Sequence, residues 1–247
     1  MDQFITKKDS SNNVLLSVVI PLYNEEKRLM SGFEIIYSFF KDKPYAWEII
    51  FVDDGSADKT RNMIYDIANR YLGVRAVENK KNLGKGAAVK NGVLSAAGDI
   101  VLFTDIDFSV PASYIDAFVE KIKEGYDFAV GSRRIKGSII DVHQPFLREF
   151  MVRGFTFLSN IILGVNFKDH TCGMKAFKKE AARALFSRQI LERWAFDSEI
   201  LYLARKMNYR IIEVPVLWRD MPGTKVSKFK DAITSLMEIV KARFYHR

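Results

Sequence analysis

The stretch Asp99-Ile-Val-Leu-Phe-Thr-Asp105-Ile-Asp107 decides the predicted fold. Its apolar run is typical of a buried strand, and it ends in two carboxylates spaced i, i+2. Because side chains alternate along an extended segment, this spacing directs both acids the same way at the carboxyl end of the strand, where open α/β sheets bind ligands. Two like charges held close repel each other, and a hard divalent cation that bridges to phosphate oxygens relieves this repulsion. A solvated turn at a strand end has the same spacing, so the motif alone leaves both interpretations open.

Two other strands are also predicted to end in polar clusters. The run from Leu16 is expected to stop at Pro21, because proline cannot donate to a central ladder. The run Trp47-Glu-Ile-Ile-Phe-Val-Asp53-Asp54-Gly55-Ser56 ends in acids followed by turn residues. A buried parallel sheet with a functional rim along one edge explains all three endings together.

The alternation of strand and helix from 15 to 131 predicts an α/β fold with a doubly wound, mostly parallel sheet flanked by helices. The remainder carries a strand at 210–218 and two long amphipathic segments, 144–164 and 227–247. We expect a flexible tail over 1–13, one domain over 14–226, and a basic amphipathic helix over 227–247 that belongs to the same domain.

Composition limits the class of protein. The 247 residues are 48% hydrophobic, which is enough for one sizeable core. The single cysteine, Cys172, cannot form an internal disulfide, so a reducing cytoplasm fits. No segment reaches the roughly 18 to 20 apolar residues of a membrane-spanning helix. A formal charge of +8 favours acidic partners, which could be nucleic acid, anionic lipid or phosphorylated small molecules.

The glycine segment Gly84-Lys85-Gly86 matches neither common phosphate loop. Val89 stands where a dinucleotide fingerprint needs glycine, and Gly86 stands where a Walker loop needs serine or threonine. What remains is a lysine between two glycines at a helix N-terminus, where a phosphate could bind. A solvated lysine in a helix-entry turn is an equally good interpretation.

Several motifs together resemble the inverting glycosyltransferases of family 2, which have the GT-A fold. The first-half motifs are Ser17-Val-Val-Ile-Pro-Leu-Tyr-Asn-Glu25, Val52-Asp-Asp-Gly-Ser56, and the pair Asp105 and Asp107. In the second half, three segments look like the polyprenyl-phosphate hexose synthases, the dolichyl-phosphate β-glucosyltransferases among them. These segments are Asp169-His-Thr-Cys-Gly-Met-Lys-Ala-Phe177, Glu192-Arg-Trp-Ala-Phe-Asp-Ser-Glu199 and Pro215-Val-Leu-Trp-Arg-Asp-Met-Pro-Gly-Thr-Lys-Val-Ser227.

The resemblance implies transfer of one hexose, glucose from UDP-glucose in the first instance, to dolichyl or another polyprenyl phosphate, with inversion. It implies that Asp105 serves ribose and metal, and that Asp107 binds Mg²⁺ or Mn²⁺ on the sugar diphosphate. Arg133 and Arg148 match positions that hold the acceptor phosphate. The residues implied for the nucleotide-sugar pocket are Pro21, Tyr23, Glu25, Asp53 and Lys85. Ile106 departs from the family, which usually has a small residue between the two acids, and is expected to tighten the metal pocket.

The implied chemistry agrees with the charges. A cation at the acidic pair would offset the charge that develops on the leaving nucleotide diphosphate. A lipid phosphate is already ionised at neutral pH and needs no strong base, and the planar forks of arginines suit its oxygens. Asp197 and Glu199 are further candidates, although acids at the start of a helix have a structural use as well.

A lipid acceptor requires contact with a bilayer. Both amphipathic segments combine basic and apolar residues, as interfacial helices that bind anionic lipid do. We therefore expect peripheral association with the cytoplasmic face of a membrane, although core helices with a basic outer face would show the same pattern.

Other functions remain as alternatives. The same fold could use GDP-mannose or UDP-GlcNAc, or a glycan or protein acceptor. A basic nucleic-acid-binding module is disfavoured, because no helix-turn-helix, zinc or RNA-binding signature occurs in the sequence. His143, His170 and His246 lack metal-ligand spacing and are expected to be structural or exposed.

Overall fold

The computed structural model describes residues 14–221 and 230–247. The strands are β1 (Leu16–Leu22), β2 (Trp47–Asp53), β3 (Val74–Glu78), β4 (Ile100–Phe103), β5 (Phe128–Ser132), β6 (Ile139–Val142), β7 (Lys175–Lys178), β8 (Ile211–Pro215) and β9 (Leu217–Arg219). The helices are α1 (Leu29–Phe40), α2 (Thr60–Arg70), α3 (Lys85–Ser95), α4 (Ile115–Lys123), α5 (Phe146–Leu163), α6 (Lys179–Arg188), α7 (Phe196–Lys206) and α8 (Lys230–Tyr245). A 3₁₀ turn, Ala112–Tyr114, leads into α4.

Seven strands form the main sheet in the order β3-β2-β1-β4-β7-β5-β8. All of its pairings are parallel except those of β7, which runs antiparallel to both β4 and β5. The predicted doubly wound, mostly parallel sheet is therefore confirmed. Within the described residues, β6 and β9 pair as a second, two-stranded sheet that the sequence patterns did not predict.

The order of the strands creates a crevice between β1 and β4. The chain proceeds from β1 to β2 and β3 on one side, and then crosses through α3 to β4 on the other side. At such a reversal the connections leave the sheet in opposite directions, so the carboxyl ends of the two strands border an open space. The acidic motif after β4 lies at this point.

Helices cover both faces of the sheet because the strand residues alternate between two apolar cores. Val18 and Ile20 pack with α1, α2 and α4, whereas Val19 packs with α3, α6 and α7. The inner face of α1 recurs at helical spacing and is buried at Leu29, Phe33, Ile36 and Phe40.

The expectation that the first strand stops at Pro21 is wrong. Pro21 pairs with Val52, and β1 continues to Leu22. Leu22 O accepts from Asp54 on the β2 side, whereas Val19 O accepts from Thr104 on the β4 side. Alternation therefore places Pro21 on the β4 side, where β4 has already ended at Phe103 and needs no donor from it.

The strand that carries the acidic motif is shorter than expected. It ends at Phe103, so Asp105 and Asp107 lie in the turn that follows rather than on an extended segment. Their common direction is therefore set by the turn and not by strand alternation.

The last helix packs against the rest of the domain. α8 contacts both α5 and α7, and Ile239 and Ala242 are buried in the core beneath α3 and α7. The boundary expected at 226–227 and the tail expected over 1–13 both lie outside the described residues. Within 14–221 and 230–247, no helix is long and apolar enough to cross a bilayer.

Candidate active site

A cleft of about 670 Å³ opens at the carboxyl ends of β1 and β4. Eight of the residues implied by the resemblance line it: Pro21, Tyr23, Glu25, Lys85, Asp105, Asp107, Arg133 and Arg148. The fold thus brings together residues that are up to 127 positions apart in the chain (148 − 21).

Asp53 is not among the lining residues. It is buried at the end of β2, and its carboxylate accepts the N–H of Ser56 at 3.2 Å. Its neighbour Asp54 does border the cleft, but both of its carboxylate oxygens accept hydrogen bonds from the loop before α3, including the N–H of Gly84 at 2.8 Å. Asp54 therefore shapes the loop that presents Lys85.

A tight turn holds the acidic pair. Phe108 N–H donates to Asp105 O at 3.2 Å, and Phe108 itself has a φ of +47°, which is a strained conformation for a bulky residue. Its ring is buried in the core below α1, and this burial fixes the turn. Asp107 Oδ1 accepts both the N–H and the hydroxyl of Ser109, so the chain orients this carboxylate.

Ile106, between the two acids in the chain, also borders the cleft. It is 5% exposed and packs against α1, where a Cβ atom on Gly32 would meet Ile106 O at 2.5 Å. The absence of a side chain at Gly32 therefore leaves room for Ile106 beside α1.

Lys85 forms an ion pair with one member of the acidic pair. Its Nζ lies 2.6 Å from Asp105 Oδ1. Burial by itself lowers the pKa of Lys85, but the charges of Asp105 and Asp197 outweigh that effect and raise the pKa above its ordinary value. Lys85 is therefore a fully charged ammonium in the cleft.

The two glycines beside Lys85 serve packing. A Cβ on Gly84 would meet Glu192 O at 2.6 Å, and a Cβ on Gly86 would meet Leu191 O at 2.7 Å. The start of α3 therefore lies directly against the segment before α7, and Ala87 N–H donates to Glu192 O. This contact brings Lys85 and Asp197 to the same cleft.

Two acidic side chains in the cleft have raised pKa values. Burial raises the pKa of Asp107, and the neighbouring Asp105 carboxylate adds to the rise. Burial likewise raises the pKa of Asp197, although Lys175 opposes this effect. Lys175 is fully buried and donates to Asp197 Oδ1 at 2.6 Å and to Cys172 O at 2.6 Å. A cation brought to Asp105 and Asp107 would relieve their repulsion.

Arg133 is fixed by a buried ion pair. Its Nε lies 2.6 Å from Asp169 Oδ2, and its Nη2 donates to Asp169 Oδ1 and to Thr171 Oγ1, each at 2.8 Å. Burial lowers the pKa of Arg133, but the charge of Asp169 more than offsets this, and Arg133 in turn holds the pKa of Asp169 well below its usual range. The guanidinium also lies 5.3 Å from the centre of the Trp218 ring. Only Nη1 is not engaged by Asp169 or Thr171.

Arg148 is held more loosely on α5. Its Nη1 lies 3.2 Å from Asp220 Oδ1, and the side chain is partly exposed. Of the two arginines, Arg148 can change its partner more easily because its contact with Asp220 is long and accessible to solvent.

Sequence reasoning missed several lining residues. Arg28 forms a two-point ion pair with Glu25, with both N–O distances at 2.7 Å. Trp194 and Trp218 form aromatic walls, and Gly173 faces Asp105. Trp194 and Trp218 lie within the second-half motifs quoted above, so those motifs were the available signal, but their spacing alone does not show that they share a cleft.

Glu199 has a structural position. Its two carboxylate oxygens accept the N–H groups of Ile190 and Leu191, and His246 Nε2 lies 2.6 Å from Oε1.

His170 is buried between Ser198 and Asn160, whereas His143 is largely exposed. Within the described residues, no three His, Cys, Asp or Glu side chains are placed to hold a metal ion.

Comparison with known proteins identifies the class. Residues 17–186 match the profile of glycosyl transferase family 2, and the chain belongs to this family. It is 35% identical to the dolichyl-phosphate β-glucosyltransferase of Dictyostelium discoideum, over 97% of this chain and 77% of that protein. It is 34% identical to the human dolichyl-phosphate β-glucosyltransferase, over 87% of this chain and 70% of that one. The chain is a glycosyltransferase, and these are its named relatives.

The fold is also similar to solved structures. Glucosyl-3-phosphoglycerate synthase from Mycobacterium tuberculosis, crystallised with Mn²⁺, UDP-glucose and phosphoglyceric acid, superposes with a TM-score of 0.69 at 19% identity, covering 93% of this chain and 79% of that one. The same protein with Mg²⁺ and UDP also gives a TM-score of 0.69, at 20% identity over 93% of this chain and 79% of that one. At these identities the likeness establishes the GT-A fold alone.

Proposed function

We propose that this protein transfers glucose from UDP-glucose to dolichyl phosphate or a similar polyprenyl phosphate, with inversion at the anomeric carbon. The observation that carries the proposal is one cleft lined both by a pair of carboxylates and by several cations. The carboxylates are Asp105 and Asp107, and the cations include Lys85, Arg133 and Arg148. The names of the relatives support the choice of glucose and dolichyl phosphate.

The acidic pair fits a divalent cation shared with a diphosphate. Mg²⁺ is held in many sites by one or two carboxylates together with substrate phosphates, and Asp105 and Asp107 supply such a pair of oxygen ligands. Mg²⁺ or Mn²⁺ bound there would act as a Lewis acid on the leaving diphosphate. Lys85 adds a fixed positive charge, and it would exchange Asp105 for a phosphate oxygen when the donor binds.

The nucleoside would bind beyond the acidic pair, against the loop that follows β1. Pro21, Tyr23 and Glu25 line that part of the cleft. Asn24 has a φ of +51°, and its Oδ1 accepts the Ala57 N–H at 2.8 Å, which ties this loop to the one after β2. Asp53 supports the second loop through Ser56.

The acceptor phosphate would lie between the two arginines. One of its oxygens attacks the anomeric carbon while the bond from that carbon to the β-phosphate oxygen of UDP breaks, and UDP leaves with the electron pair. The nucleophile is an anion already, so no side chain has to remove a proton. Arg133 offers Nη1 from a rigid position, and Arg148 would leave Asp220 to close on the phosphate.

The lipid tail would leave the cleft between α5 and α8. Met151, Val152, Phe155 and Ser235 form this wall. Beyond it, α5 and α8 each expose an apolar stripe at helical spacing, formed by Phe146, Phe150, Phe157 and Ile161 on α5 and by Ile233, Met237, Val240 and Phe244 on α8. Phe146 is 84% exposed, which is costly in water and favourable at a bilayer surface. We place these stripes in the cytoplasmic leaflet of a membrane.

The test is a transfer assay with defined donors and acceptors. UDP-glucose, GDP-mannose and UDP-GlcNAc are each offered with a short polyprenyl phosphate, a soluble glycan or no acceptor, with and without Mn²⁺. We expect glucosyl-phospholipid only from UDP-glucose, polyprenyl phosphate and metal together, with the β configuration by NMR. Faster transfer from another donor would contradict the assignment of UDP-glucose as the donor. Transfer to the glycan in place of the lipid would contradict the assignment of a polyprenyl phosphate as the acceptor.

A further inference from the structure

A second cleft lies on the molecule away from the acidic pair. It has a volume of about 460 Å³ and is bordered by the end of α5, the last turn of α7 and the end of α8. Its lining residues are Leu163, Gly164, Val165, Tyr202, Arg205, Lys206, Arg243 and Arg247. We call it the basic cleft.

Half of its lining is cationic. Arg205 and Lys206 come from α7, Arg243 comes from α8, and Arg247 follows α8. Among the described residues, those that line the basic cleft include no acidic side chain. The cleft therefore carries a concentrated positive charge.

The ends of the helices explain only part of this charge. A helix C-terminus carries about half a negative charge, and basic residues there are stabilising. Arg243 donates to Tyr202 Oη at 2.9 Å and to Leu163 O at 3.4 Å, and Lys206 donates to His246 O. Three helix ends offset at most about one and a half charges, so they do not by themselves balance the four cations.

The basic cleft continues the exposed apolar surface of α5 and α8. Near the active site, Met151 of α5 and Ser235 of α8 border the same cleft, whereas Leu163 and Arg243 meet at the other end. The two helices therefore run side by side in the same direction. Their apolar stripes end at Ile161 and Phe244, one or two residues in the chain from Leu163 and Arg243, which line the basic cleft.

We propose that the basic cleft binds the phosphate headgroup of an acidic phospholipid. The positive charge of the basic cleft indicates an anionic ligand. The apolar stripes on α5 and α8 indicate that this anion is part of a lipid rather than a free ion. A headgroup bound there and a substrate phosphate between Arg133 and Arg148 would hold opposite ends of α5 and α8 at one bilayer. This inference extends the proposed membrane contact and gives it a specific site.

Vesicle binding by the full chain tests the proposal. The probes are phosphatidylcholine vesicles with and without about one fifth phosphatidic acid. The variant is Arg205→Glu with Arg247→Glu, and the matched control is Arg70→Glu with Arg188→Glu, which changes the same charge at the ends of α2 and α6. We expect the first pair to weaken binding to the acidic vesicles by at least about tenfold and the control to weaken it by less than about threefold.

Three results would overturn the proposal. The first is an equal loss of binding in both variants, which would indicate general charge attraction. The second is equal binding of the native protein to both kinds of vesicle. The third is displacement from acidic vesicles by millimolar inorganic phosphate, which would indicate a site for a free ion. Transfer of glucose to a short, soluble polyprenyl phosphate is measured in parallel. It should be unchanged in the Arg205 and Arg247 variant, so a failure of this site is separable from a failure of the proposed activity.

Discussion

Gly173 and the Asp105 carboxylate lie so close that a Cβ atom at residue 173 would overlap Asp105 Oδ2. Gly173 has no positive φ, so alanine is compatible with its backbone and the conflict is with Asp105 alone. The carboxylate can occupy its position in the cleft only because residue 173 has no side chain.

Replacement Gly173→Ala should therefore displace Asp105 and weaken Mn²⁺ binding in the presence of UDP by at least about tenfold. Titration calorimetry with Mn²⁺ and UDP measures this effect, and thermal unfolding shows whether the fold persists. Gly154→Ala is the matched control, because nothing lies within 4 Å of a Cβ at that position on α5. Unchanged metal affinity in a folded Gly173→Ala protein would mean that Asp105 does not bind the metal.

Replacement Asp107→Asn should leave the fold intact and reduce transfer by at least about 100-fold. The amide oxygen can still accept the two hydrogen bonds from Ser109, so the turn remains while the charge is lost. Circular dichroism and a transfer assay over a range of Mn²⁺ concentrations measure the two effects. Near-native transfer at limiting Mn²⁺ would contradict the metal role of Asp107.

Arg133→Ala should lower the free energy of unfolding by about 3 kcal/mol, because it leaves the fully buried Asp169 without its cation. Replacement of Arg133 therefore changes stability as well as acceptor binding, so it cannot test acceptor binding alone. Adding Asp169→Asn should recover a large part of the loss, since a neutral amide is less costly to bury. Urea unfolding of the single and double variants measures the coupling. No difference between them would show that the ion pair does not support the fold.

The stability of the protein should fall as the pH falls below about 6.5. Burial lowers the pKa of His170 from 6.5 to about 4, with Asp169 opposing and Lys175 and Arg134 adding to the shift. Between these values the unfolded chain binds a proton that the folded protein does not, so unfolding is favoured as acid is added. The loss between about pH 7 and about pH 5 amounts to roughly 2 kcal/mol.

Denaturant unfolding at several pH values measures this slope. His170→Gln should flatten it, whereas His143→Gln, at an exposed position, should leave it unchanged. An equal slope in the native protein and in folded His170→Gln would assign the pH dependence to other groups.

Replacement of Phe146 and Phe150 by serine should lower binding to anionic vesicles without affecting the fold or the affinity for UDP. The two rings are 84% and 65% exposed, so their removal costs little packing. Met30→Ser with Ile35→Ser removes exposed apolar side chains from α1 and serves as the control. Vesicle flotation compares the variants. Equal binding by both would show that α5 does not contact the membrane surface.

Local sequence was sufficient to predict much of the first half of the chain. Continuous apolar runs and helical stripes are produced by side chains that are near neighbours, so β2 and the buried face of α1 could be predicted from local sequence. The acids at 105 and 107 were found for the same reason. The antiparallel β7 and the β6 and β9 pair were missed, because these short strands depend on partners far away in the chain.

What the sequence alone determined is the mostly parallel sheet and the set of charged residues at one edge, because alternation and turn chemistry are local properties. Only the tertiary structure decided how each charge is used. The Arg133 fork is occupied by Asp169, Lys85 is paired with Asp105, and Gly84 and Gly86 allow the segment before α7 to approach closely. Pairing and close approach depend on distances between residues that are remote in the chain, and no spacing within one segment contains those distances.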